Sequence, residues 1–121
     1  MIDGIGIDII EVERVARAIR NERFVARVFT SLEMAECRGR GCPEQRFAGR
    51  FAAKEAVAKA LGRALSWREV EIRSGRRGEP TAVLTGRAAA LLAGRLVRIS
   101  ISHCHSHAVA HAVVFRENRD S

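Results

Sequence analysis

The chain has 121 residues, 47% of them hydrophobic, enough for one compact domain with a modest core and too few for two. Its 21 Lys and Arg outweigh 14 Asp and Glu to leave a formal charge of +7, which favours anionic partners. No apolar run reaches the roughly 18 residues of a membrane span, the N-terminus lacks the segments of a secretory leader, and three cysteines without a CxxC pair argue against a disulfide framework; free thiols, a cytoplasmic setting and no membrane partner are expected.

Gly4-Ile5-Gly6-Ile7-Asp8-Ile9-Ile10-Glu11 reads as a nearly continuous apolar, buried strand. Asp8 interrupts it, and a charge in such a run persists only when paired or bound to a metal. From Glu11 to about Arg20, Val12, Val15, Ala16 and Ile19 share one helical face while Arg14 and Arg17 turn elsewhere. A short segment, Arg23 to Phe29, leads to Thr30-Ser31-Leu32-Glu33, a capping box that starts a helix running to about Arg38. Gly39-Arg40-Gly41-Cys42 breaks it. Pro43 suits the first turn of the next helix and Gly62 its stop, so a long helix is predicted between them.

Inside that helix Phe47, Phe51, Ala58 and Leu61 form an apolar stripe, while Ala48, Ala52, Glu55 and Lys59 share an adjacent flank whose alanines leave room for something to approach. Glu55 and Lys59 are either a solvated i,i+4 pair or, with Asp8, part of a two-carboxylate site. Beyond Gly62 the pattern alternates: Val70 and Ile72 against Glu69, Glu71 and Arg73, then a turn over Ser74-Gly75-Arg76-Arg77-Gly78 and a strand near Thr81 to Leu84, which makes a hairpin. Thr85 to Gly94 is helical, and Val97 to Ser102 and Ala108 to Phe115 are strands flanking a turn from His103 to His107. The tail from Arg116 is polar, with residues 119–121 expected to fray beyond a domain of residues 1–118. Helices early and strands late indicate an α+β fold.

Four stretches together resemble the holo-[acyl-carrier-protein] synthases, a family of 4′-phosphopantetheinyl transferases: Gly4-Ile5-Gly6-Ile7-Asp8-Ile9; Arg46-Phe47-Ala48-Gly49-Arg50-Phe51-Ala52-Ala53-Lys54-Glu55-Ala56; Trp67-Arg68-Glu69-Val70-Glu71-Ile72 with Gly78-Glu79-Pro80; and Ile99-Ser100-Ile101-Ser102-His103. They fall in the family's order and span nearly the whole chain. The resemblance implies an α+β domain, helices packed on an antiparallel sheet, that assembles as a homotrimer. It implies Mg²⁺-dependent transfer of phosphopantetheine from coenzyme A to a serine of an acyl carrier protein, as in fatty-acid biosynthesis, with release of adenosine 3′,5′-bisphosphate. Asp8 and Glu55 match the family's metal-binding carboxylates, and Lys59 a lysine beside the coenzyme A phosphates; these three form the implied catalytic set. Arg50, with Arg46 less directly, matches the arginines near those phosphates, and His103 the histidine of the nucleotide pocket. Arg14, Arg20 and Arg23 resemble the cations that hold the acidic helix of the carrier.

Two other functions are compatible with the composition. A basic nucleic-acid-binding module would explain the charge, but the arginines are dispersed and aromatics are only 5% of the chain, with no base-stacking ladder. A zinc site drawn from His103, His105, His107, His111, Cys37, Cys42 and Cys104 has the right ligand types, but the predicted turn breaks the alternation of the histidines. The transferase is the leading expectation, with no nucleic acid among its partners.

Overall fold

The computed structural model describes residues 1–39 and 41–118; the expected frayed tail at 119–121, and Arg40 within the predicted helix break, lie outside them. In chain order the elements are β1 (Ile2–Glu11), α1 (Val12–Ala18), α2 (Glu22–Val28), α3 (Ser31–Arg38), α4 (Pro43–Leu61), a 3₁₀ turn (Trp67–Glu69), β2 (Val70–Ser74), β3 (Pro80–Leu84), α5 (Gly86–Leu92), β4 (Leu96–His103) and β5 (His107–Phe115). The strands form an antiparallel sheet in the order β1-β5-β4 and a separate β2-β3 hairpin. This is the expected α+β domain, with helices on an antiparallel sheet. The short segment from Arg23 to Phe29, to which the sequence assigns no element, is mostly helical: the Asn21 side chain accepts from the N–H groups of Arg23 and Phe24 and starts α2.

Helix α4 is the centre of the molecule. It begins at Pro43, and it ends where Gly62 turns to φ 72° and the Arg63 N–H returns to the Ala58 carbonyl at 3.2 Å. Phe47, Ala48, Ala52, Ala53, Ala56 and Val57 are all buried, so the helix is covered on more than the one predicted stripe. The alanine flank does not wait for a ligand, because the sheet itself fills the space. Ala108, Ala110, Ala112 and Val114 of β5 form the buried face of the central strand, and Gly4, Gly6, Asp8 and Ile10 pair opposite Val114, Ala112, Ala110 and Ala108. A Cβ on Gly6 would overlap the Ala56 carbonyl oxygen, and one on Gly4 the Ala60 carbonyl oxygen. Backbone therefore meets backbone where β1 crosses α4. Gly6→Ala is expected to destabilise the fold by about 1–3 kcal/mol, since overpacking must push strand from helix; an unchanged urea midpoint would show that the contact is slack.

The outer face of the same strand corrects the expectation of a buried β1. Ile5, Ile7 and Ile9 are 64%, 62% and 66% exposed, because strand alternation sends them away from α4 and no layer among the described residues covers that side. They continue across the sheet into Val113, His111 and Val109 of β5. Three isoleucines in a row at this exposure form an apolar patch of the kind that marks an interaction surface.

Candidate active site

Because side chains alternate along β1, the glycine step that lets the strand touch α4 also decides where Asp8 points. Gly4, Gly6 and Asp8 share the inner face, so the carboxylate arrives beside the C-terminal half of α4. There Lys59 Nζ donates to Asp8 Oδ1 at 3.0 Å and to the Ile7 carbonyl at 3.0 Å. The Asp8 side chain is only 15% exposed, and Lys59 keeps its stem on the helix while half its surface meets solvent. Glu55 lies one helical turn before Lys59. Partial burial, and then the negative charge of Asp8, push the Glu55 carboxyl above its ordinary pKa, with Lys59 pulling the other way. Two carboxylates thus stand close enough to repel, with the Lys59 ammonium paired to Asp8 and acting on Glu55 through space. Glu55 and Lys59 line a cavity of about 480 Å³ whose other walls include Ala58, Leu65, Trp67 and Val70.

The remaining cationic candidates gather elsewhere. Arg46, Arg50 and His103 line a second cavity of about 160 Å³, together with Ile72, Ser74, Gly78 and Pro80 of the hairpin. His103 reaches it because residues 97, 99, 101 and 103 of β4 share the α4 side of the sheet, and Ile101 packs against Gly49. Arg46 Nε donates to the Gly41 carbonyl at 3.4 Å. Arg50 is largely buried: Nε donates to the Ile72 carbonyl at 3.3 Å, and Nη2 to Glu36 Oε1 at 2.6 Å and Ser74 Oγ at 3.0 Å. Its other amino group, Nη1, has no hydrogen-bond partner among the described residues. Within one chain Glu55 with Lys59 and this cation set therefore open into different cavities. Arg14, Arg20 and Arg23 are exposed on α1, on the turn after it and on α2, and none has a carboxylate within ion-pair distance among the described residues.

The ion pairs along α3 and α4 were not legible as such. Glu33 was readable only as a capping-box residue, and it does accept from Thr30 N–H at 2.9 Å while Thr30 Oγ1 accepts from Glu33 N–H. The same carboxylate also pairs with Lys54 Nζ at 2.9 Å, both side chains being buried, and accepts from Ile72 N–H at 2.8 Å. Lys54 Nζ further donates to the Trp67 and Val70 carbonyls. The only available signal was a lysine at the centre of an otherwise small and apolar helix. Glu79, unassigned from sequence, turns back on its own loop and accepts from Arg77 N–H at 3.0 Å. Cys37 is buried and its thiol is pushed up to about 11 by that burial, while Cys42 and Cys104 are exposed. Among the described residues no three His, Cys, Asp or Glu side chains converge on a metal position, so the zinc reading finds no ligand set. Nor is any described helix long and apolar enough to cross a membrane.

The sequence and the fold have their counterparts among known proteins. The model of the 4′-phosphopantetheinyl transferase superfamily matches residues 4–113. Holo-[acyl-carrier-protein] synthase of Protochlamydia amoebophila is 47% identical over 116 residues, covering 91% of this chain and 95% of that protein, and the enzyme of Moorella thermoacetica is 47% identical over 116 residues, covering 90% and 91%. Among solved structures, holo-(acyl-carrier-protein) synthase of Bacillus anthracis str. Ames, in complex with CoA (3′,5′-ADP), superposes with a TM-score of 0.83 at 35% identity and covers 97% of this chain and 99% of its own. The chain belongs to the holo-[acyl-carrier-protein] synthases, transferase enzymes of that superfamily.

Proposed function

We propose that the chain transfers the 4′-phosphopantetheine group of coenzyme A to a serine hydroxyl of an acyl carrier protein and releases adenosine 3′,5′-bisphosphate. The observation that carries this reading is the convergence of Asp8, Glu55 and Lys59 at the crossing of β1 and α4. Attack at phosphorus requires that pyrophosphate charge be neutralised. Two carboxylates held in mutual repulsion are an oxygen donor set suited to Mg²⁺, which takes one or two carboxylates and fills its other positions with phosphate oxygens and water. Asp8 and Glu55 would hold that ion, and when bound it supplies charge neutralisation and orientation of the phosphates. Lys59 would then turn its ammonium from Asp8 toward a phosphate oxygen and stabilise the leaving side. Arg46, Arg50 and His103 would bind the nucleotide phosphates, Arg50 through its unpartnered Nη1.

The reading is tested by incubating the protein with coenzyme A, Mg²⁺ and an apo carrier and weighing the carrier by mass spectrometry. A mass gain of one phosphopantetheine, lost when Mg²⁺ is chelated, is expected. A carrier of unchanged mass at saturating coenzyme A overturns it. Assembly as a homotrimer in the cytoplasm completes the proposal, with Ile5, Ile7 and Ile9 as the surface that a neighbouring copy would cover.

The carrier would dock on Arg14, Arg20 and Arg23, which meet no carboxylate among the described residues. Rim charges act mainly on association rate and register, so Arg14→Glu with Arg23→Glu is expected to raise the carrier KM about tenfold and leave coenzyme A binding unchanged. Raising salt from 0.1 M toward about 0.5 M shortens the screening length from about 10 Å to under about 5 Å. Wild-type activity at subsaturating carrier should then fall while that of the double variant stays flat. Equal salt dependence and equal carrier KM would remove this face from the docking surface.

A further inference from the structure

The edge of β2 that faces away from β3 has no neighbouring strand among the described residues, yet its peptide groups are hydrogen-bonded in order by four charged side chains. The Val70 carbonyl accepts from Lys54, Ile72 N–H donates to Glu33, the Ile72 carbonyl accepts from Arg50, and Ser74 N–H donates to Glu36. Two acids three apart on α3 and two bases four apart on α4 stand in for a strand. The inner rung, Glu33 with Lys54, is buried. The outer rung, Glu36 with Arg50, is different, because it borders the cavity lined by Arg46, Arg50 and His103, and Glu36 also lines an adjoining cavity with Arg46, Arg76 and Arg77.

A carboxylate among four arginines, at a wall where phosphate is expected, opposes binding through space. It favours binding only if it fixes a cation in a useful pose. Glu36 Oε1 accepts from both Arg50 Nη2 and Ser74 N–H, so one oxygen ties the guanidinium to the last residue of β2, where the hairpin turn begins. That arrangement consumes Nη2 and Nε and leaves Nη1 as the donor that can reach a ligand. We propose that Glu36 is a positioning residue for this anion cavity: through Arg50 and Ser74 it holds the guanidinium and the turn of the hairpin in the geometry that receives a nucleotide phosphate. This rests on the reading that coenzyme A binds here, and it adds to that reading a residue that touches no substrate.

The sign of one substitution decides between positioning and repulsion. Glu36→Gln, tested in the full chain, is expected to raise the KM for coenzyme A and the Kd for adenosine 3′,5′-bisphosphate about threefold to tenfold, with kcat within about twofold and an unchanged thermal midpoint. A merely structural role would lower the active fraction and the midpoint and leave KM alone. Arg50→Gln should weaken binding more, and the double variant Glu36→Gln/Arg50→Gln no more than Arg50→Gln alone, because the acid acts through the base. Glu36→Asp, which keeps the charge but shortens the reach, is expected to show the same KM defect and stands in should the Gln variant fold poorly. Unchanged or tighter nucleotide binding in the Glu36 variants, or additive losses in the double variant, overturns the proposal, as does a wild type that does not bind the bisphosphate. A wild type that binds it but modifies no carrier instead overturns the transferase reading, and the Glu36 comparison is then still read from affinity.

Discussion

Asp8→Ala and Glu55→Ala are each expected to lower phosphopantetheine transfer by about 10²–10³-fold, the loss that follows when charge stabilisation is removed at the reacting phosphate. Neither change should unfold the chain. Among the described residues Asp8 is paired only with a half-exposed Lys59, which water can solvate once the carboxylate is gone, and Glu55 makes no side-chain hydrogen bond. Coenzyme A turnover at limiting Mg²⁺ is the measurement, with circular dichroism confirming the fold. Either variant working at the wild-type rate under those conditions would remove that carboxylate from the metal pair. A pH arm gives an independent check. Burial and Asp8 hold the Glu55 pKa above its ordinary 4.5 in the folded chain, so the unfolded chain loses that proton first. Stability must therefore fall as pH rises from about the ordinary value through the raised one. Glu55→Gln should remove that slope from urea titrations made without metal.

Lys54→Met is expected to destabilise the chain by about 3–5 kcal/mol, because it strands the Glu33 carboxylate in a site where water does not enter. Burial also pulls the Lys54 pKa down, against the opposing pull of Glu33, so the ammonium depends on its partner to stay charged. Replacing both members together, Glu33→Leu with Lys54→Met, would not restore stability fully, since Thr30 N–H and Ile72 N–H lose their acceptor. Equilibrium urea unfolding of the single and double variants would separate these contributions. A single variant within about 0.5 kcal/mol of wild type would show that the buried pair contributes nothing net.

The elements with local punctuation were legible in the sequence. Thr30 and Glu33 close their capping box, Pro43 and Gly62 bound α4, and the alternation at Val70 and Ile72 is β2. So was the meeting of Asp8, Glu55 and Lys59, since a charge inside an isoleucine run demands a partner. What local pattern could not show was how much of each element other layers cover. The isoleucines of β1 looked buried because apolarity was read without the sheet's other face. The alanines of α4 looked open because the strand that fills them is forty residues and more away in sequence. Arg50 reads as a free cation for the same reason: Glu36 and Ser74 approach it only after α3 and the hairpin have folded against α4.

The sealed edge of β2 also bears on how the chain fails. An unpaired row of peptide groups is a template for another molecule's strand, and here lysine, arginine and two glutamates already occupy that row. A lesion in either rung exposes the template while the rest of the sheet is intact. Such variants should therefore lose refolding yield more steeply with protein concentration than their unfolding free energies alone require, precipitating through strand addition at the hairpin.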